Sequence, residues 1–129
     1  MAYVDIVTIL AVLQFIVFAA KVASARGKYG IKAPATTGNE MFERTFRVQQ
    51  NTLELLLCLL PALYLSGPYW NPIWSALLGV VYLVGREIYA ATYVKNPGKR
   101  SLGFTLSVLP ILVLLAGDLV GALRPGTRF

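Results

Sequence analysis

Two sets of polar residues are spaced so that a helix would gather each onto one face. Arg44, Arg47, Asn51 and Glu54 stand three, four and three apart, which confines them to an arc of roughly 80° at 100° per residue. Tyr82, Arg86, Tyr89 and Tyr93 fall within roughly 60° by the same rotation. Guanidinium forks match carboxylates, and a carboxylate side chain supplies the opposite sign of charge. Inward residues of both signs (Arg47, Asn51, Glu54 and Arg86) therefore suit a zwitterionic ligand. Plainer readings stand beside this one. Arg44 with Glu40 and Arg47 with Glu43 are four apart and can decorate an exposed helix start; for Glu40, Glu43 and Arg44 that reading is adopted. A Glu54–Arg86 ion pair holding a bundle is the structural rival for the deeper residues. Tyr82 suits packing or a membrane interface as well as ligand contact, whereas Tyr89 and Tyr93 share the stripe of Arg86 and are assigned to function.

The elements that must carry these stripes belong to a membrane. Of 129 residues, 57% are hydrophobic and only 14% charged, with a mean hydropathy of +0.63; a soluble domain carries about 25% charged residues. No charge occurs from Leu55 to Gly85 or from Ser101 to Gly117, and about 20 apolar residues are enough for a helix to cross a bilayer. The pattern predicts an all-α membrane protein, one four-helix domain over the whole chain. Its helices run from about Tyr3 to Ala25, Asn39 to Leu65, Ile73 to Lys95 and Arg100 to Leu123. Pro61 and Pro110 predict kinks inside the second and fourth helices. Arg26 opens a polar Gly/Pro/Thr-rich loop, and Tyr69, Trp70 and Trp74 mark a headgroup-level turn.

A net charge of +6 does not point to nucleic acid, because the basic residues lie between apolar spans. Arg26, Lys28 and Lys32 fall in the first loop, Lys95, Lys99 and Arg100 in the third, and none in the second. The positive-inside rule puts loops one and three in the cytosol and both termini opposite, with Arg124 and Arg128 an outnumbered contrary signal. The host membrane is then a bacterial inner membrane or the endoplasmic reticulum. The opening residues lack the basic start of a secretory signal, so the first apolar run is expected to be retained. The sequence has no histidine and one cysteine, Cys58, which excludes an internal disulfide, Cys/His zinc sites and imidazole base chemistry. Cys58 reads as an inert core thiol, Gln14 as an interhelical hydrogen-bonding residue, and Asp118 as a residue of the outer interface.

With these residues in hand, the chain resembles the membrane-associated proteins of eicosanoid and glutathione metabolism (MAPEG), in the branch of microsomal glutathione transferases two and three and leukotriene C synthase. The likeness is carried by Ser24-Ala-Arg26, by Phe42-Glu-Arg-Thr-Phe-Arg47-Val-Gln-Gln-Asn51-Thr-Leu-Glu54, by Val81-Tyr-Leu-Val-Gly-Arg86-Glu-Ile-Tyr89-Ala-Ala-Thr-Tyr93, and by Arg100. It implies a homotrimer of four-helix bundles with a glutathione site at each subunit interface, open to the cytosol. By position, Arg26, Arg47, Gln49, Asn51, Glu54, Arg86, Tyr89 and Tyr93 would hold the tripeptide, and Arg100 matches the arginine that activates its thiol. A thiol with a pKa near 8.5 is mostly protonated at neutral pH. A guanidinium fixed beside the sulfur favours the thiolate, by about 1.4 kcal/mol per pKa unit, and acts electrostatically because it does not itself give up its proton.

The implied activity is conjugation of glutathione, as co-substrate and without a metal, to lipophilic electrophiles arriving through the bilayer. Glutathione-dependent peroxidase activity toward lipid hydroperoxides is a candidate addition. Gly27 and Leu55 stand where eicosanoid relatives have an arginine and a tyrosine, which points toward general detoxification. Two other classes of protein compete with this reading. A non-catalytic lipid-binding scaffold of the same fold is opposed by the joint presence of Asn51, Glu54, Tyr93 and Arg100. A small multidrug exporter needs an embedded acid in its first helix, where this chain has only Asp5 at the edge.

Overall fold

A computed structural model describes residues 2–125. Among them are four α-helices: α1 (Tyr3–Tyr29), α2 (Glu40–Leu65), α3 (Pro72–Lys95) and α4 (Ser101–Leu123), with a single 3₁₀ turn, Pro97–Lys99, between the last two. Three helices, α1, α3 and α4, are long and apolar enough to cross a membrane. The 26 residues of α2 span ~39 Å; its first half carries the charged stripe. Arg128 lies outside the described residues.

The helix ends follow from local chemistry. Asn39 caps α2 by accepting a hydrogen bond from the Phe42 amide at 3.0 Å, and Asn71 caps α3 by accepting from Ile73 at 2.9 Å, each satisfying an amide that lacks a helical partner. The first helix runs four residues past the expected Ala25, because the left-handed Gly30 closes it by donating to Arg26 O. Arg26 is therefore a helix residue and not part of the loop. Both α2 and α4 continue as helix through Pro61 and Pro110.

Packing is closest between α3 and α4, while α1 lies on α2 and α3. Small residues set the α3–α4 approach. A side chain at Gly85 would strike the Leu106–Ser107 backbone at 2.7–2.8 Å, and one at Gly103 would strike the Tyr89 backbone at 2.4–2.5 Å. In a membrane, where burial against lipid gives helices little drive to associate, such close backbone contact is a main source of cohesion. Gln14 ties α1 to α3 by donating to Leu83 O at 3.0 Å and to Glu87 Oε1 at 3.3 Å.

Three expectations are corrected. Asp118 does not face an interface: it is 5% exposed, on an α4 face that packs inward. Of the turn aromatics, Tyr69 and Trp70 lie against Gly121 and Gly117 of α4, and Trp74 alone keeps a largely exposed ring. Cys58 is exposed on the flank of α2, because it points away from the buried row of Leu56, Leu59 and Leu63.

Candidate functional site

A cleft of about 690 Å³ opens at the end of the bundle where α2, α3 and α4 meet the 3₁₀ turn. It is lined by Arg47 and Asn51 from α2, Tyr89 and Tyr93 from α3, and Arg100, Ser101, Phe104 and Thr105 around the start of α4. Five of the residues singled out from the sequence thus converge: Arg47, Asn51, Tyr89, Tyr93 and Arg100. The volume falls within the range of about 300–1,000 Å³ usual for small-molecule sites. Tyr89 and Tyr93 stack one helical turn apart, ring centroids 5.3 Å. Arg100 is exposed, and its Nη1 donates to Pro97 O at 3.0 Å, which pins the guanidinium to the turn.

Behind the cleft lies Arg86, fully buried. Its Nε donates to Ser107 Oγ at 2.9 Å, and its Nη1 to Asn51 Oδ1 at 2.8 Å and Thr52 Oγ1 at 3.1 Å. Its guanidinium carbon lies 4.4 Å from the centroid of the Tyr89 ring, a cation–π contact. The two hydroxyls are themselves anchored, Thr52 to Val48 O at 2.7 Å and Ser107 to Gly103 O at 2.6 Å. These hydrogen bonds all go to neutral oxygens, so no carboxylate neutralises the cation beneath the cleft. The Glu54–Arg86 pair is not formed. Glu54 pairs instead with Arg47 at 3.5 Å, both side chains about half exposed.

Other charged residues do structural work. Arg44 pairs with Glu40 and donates to Val94 O at 2.9 Å, closing the carbonyl end of α3. The Glu43–Arg47 pair is absent, because Glu43 turns back to accept from the Gly38 amide at 3.1 Å. Arg26 and Gln49 do not line the cleft. Arg26 donates to Ala35 O at 2.6 Å and lies 5.0 Å over the Phe42 ring, on the α1 side of the molecule. Gln49 is half-buried on α2. The sequence reading missed Ser101, Phe104 and Thr105. Being uncharged, they had only one signal, their place in the helical turns that follow Arg100.

The fold and the cleft define an integral membrane bundle of helices with a strongly basic, tyrosine-walled pocket at one end. A family model described as the MAPEG family matches residues 4–119. Microsomal glutathione S-transferase 2 of Homo sapiens is 44% identical over 123 residues, covering 95% of this chain and 82% of that protein. An uncharacterised protein of Synechocystis is 46% identical over 118 residues, 92% of this chain and 86% of its own length. Leukotriene C4 synthase of Bos taurus is 33% identical over 117 residues, 91% and 78% respectively. The chain belongs to the MAPEG family.

Proposed function

We propose that the protein is a membrane-bound glutathione transferase whose tripeptide site is the Arg100 cleft. The observation that carries the reading is the convergence of Arg47, Asn51, Tyr89, Tyr93 and Arg100 on one pocket. Glutathione brings two carboxylates, an ammonium and a thiol. Arg47 takes a carboxylate, Glu54 beside it receives the ammonium, and Asn51 with the tyrosine hydroxyls holds the peptide. Arg86 contributes from beneath, as field and as support for Asn51 and Tyr89. Arg100 stands at the cleft mouth, where a cation lowers the pKa of the thiol and exposes the thiolate to the membrane phase. The thiolate attacks an electrophilic carbon, the C–S bond forms, and the leaving group departs with its electron pair. Toward a lipid hydroperoxide, the same thiolate attacks oxygen and the O–O bond breaks, giving alcohol and a sulfenic acid that a second glutathione reduces to disulfide and water.

Arg26 and Gln49 lie outside this cleft, so if they touch the same tripeptide a second copy must present them. A trimer with its sites between subunits, open on the cytosolic side, is the assembly proposed. Such an arrangement also covers apolar flank, of which Leu57, Tyr64 and Leu123 are 68%, 82% and 74% exposed in the single chain. The test is conjugation of glutathione to a chlorinated nitroaromatic by purified protein in detergent, extended to a lipid hydroperoxide. Turnover that Arg100→Ala largely abolishes supports the reading; absence of glutathione binding refutes it in favour of a lipid-binding scaffold.

A further inference from the structure

A second groove shares no lining residue with the Arg100 cleft. It opens between α1 and α3 with α2 behind it, and holds about 440 Å³. Phe18, Val48, Ala91 and Val94 make its walls, and Lys21, Lys28 and Lys95 stand along it. The Gln14–Leu83 bond sets the level of one helix against the other. Lys21 then lies ~10 Å, and Lys95 ~18 Å, beyond that level toward the Arg100 end. Glu87, the only carboxylate in the lining, stays at the deep end near Gln14. Lys21 and Lys28 are two turns apart on one face of α1, their ammonium groups 5.7 Å from the Phe18 ring and 5.3 Å from the Tyr29 ring. All three lysines are exposed.

We propose that this groove seats one anionic phospholipid drawn from the leaflet at the Arg100 end of the bundle. Its phosphate lies among the three ammonium groups and an acyl chain runs down over Phe18 and Ala91. Charge complementarity identifies the occupant. Three cations against one carboxylate leave a net positive lining that selects an anion, and a trough that adjoins the apolar flank of Val17, Val84 and Ile88 selects an anion that carries a hydrocarbon chain. A zwitterionic headgroup would set its own ammonium against the lysines, and free phosphate would leave the apolar walls wet.

The experiment is native mass spectrometry of the detergent-solubilised protein with phosphatidylglycerol, with phosphatidylcholine of identical chains, and with glycerol phosphate. The expected result is one phosphatidylglycerol retained per chain, roughly tenfold more tightly than phosphatidylcholine, and no retained glycerol phosphate. Lys21→Gln with Lys95→Gln should remove that preference, while the arginine counterparts keep it. Ala91→Trp should fill the trough and expel the lipid without altering glutathione binding or thermal midpoint, which shows that the variant is folded. Equal retention of the two lipids, or a preference that survives the glutamine substitutions, overturns the proposal. So does a wild type that binds no lipid while Ala91→Trp changes the oligomer mass, since the groove is then covered by a second copy.

Discussion

Arg86 Nη1 donates to Asn51 Oδ1 at 2.8 Å, so a cation buried on α3 fixes the orientation of an amide on the cleft wall. A guanidinium can only donate, which forces the oxygen of Asn51 inward and leaves its NH₂ to donate to a ligand carbonyl or carboxylate. The polar stripes of α2 and α3 therefore work in depth. One layer lines the cleft and the other holds that layer in place.

Arg86→Ala should destabilise the bundle and weaken glutathione binding together. It strands the buried Asn51 oxygen at about 1–3 kcal/mol and adds a cavity, which together should lower the melting temperature by about 5–10 °C. Arg86→Lys should recover little, since one ammonium cannot span Asn51, Thr52 and Ser107. Thermal melting in detergent beside a glutathione titration checks this. An Arg86→Ala protein with wild-type melting and affinity would show that the network does not support the site.

Glycine substitutions should separate by location. Gly103→Ala and Gly85→Ala push α4 off α3 and should cost several degrees and most of the activity, because the clash is with backbone. Gly27→Ala meets nothing within 4 Å and should be neutral or stabilising by up to ~1 kcal/mol, from helix propensity alone. Melting curves of the three variants decide; equal effects would mean that helix propensity, and not the interface, governs.

The polar stripes were legible because helical periodicity survives folding: Arg47, Asn51, Tyr89 and Tyr93 share one pocket as their spacing suggested, while Arg100, which joins them there, was singled out only through the family resemblance. What the residues could not disclose was which of them the fourth helix covers. Arg86 and Tyr82 lie on the same stripe as Tyr93 yet are fully buried, because Gly85 and Gly103 draw α4 across them, and a glycine carries no polar signal. Asp118 was misplaced for a related reason. Proximity to a helix end says nothing of which face packs inward. The end of α1 depended on a left-handed glycine, and Gly27 and Gly30 were equally available in the sequence.

Glu54→Gln should leave stability almost unchanged, because its pair with Arg47 is half exposed and such pairs contribute about 0–1 kcal/mol. If Glu54 receives the ammonium of the tripeptide, the glutathione Kd should rise roughly tenfold, the loss of one charge-assisted hydrogen bond. Calorimetric titration of both proteins checks it. An unchanged Kd would remove Glu54 from the site.

An intersubunit site predicts complementation. Arg26→Ala and Arg100→Ala homo-oligomers should each be nearly inactive. Oligomers reassembled from an equal mixture should regain activity at about a quarter of their sites, by random assortment around a closed ring. Activity that stays at the level of two inactive parents would place Arg26 and Arg100 in the same subunit's site, and an active Arg26→Ala parent would place Arg26 outside it.

The central claim is that Arg100 stabilises the thiolate of bound glutathione. The ultraviolet absorbance of that thiolate, followed from acid to alkaline pH in wild type and in Arg100→Ala with each protein saturated, tests it most directly. A neighbouring cation favours the charged form, so the bound thiol should titrate below its free value of about 8.5 in the wild type and return toward it in the variant, at about 1.4 kcal/mol per unit. If the thiol titrates near its free value in both proteins, Arg100 does not activate it and the mechanism proposed here is wrong.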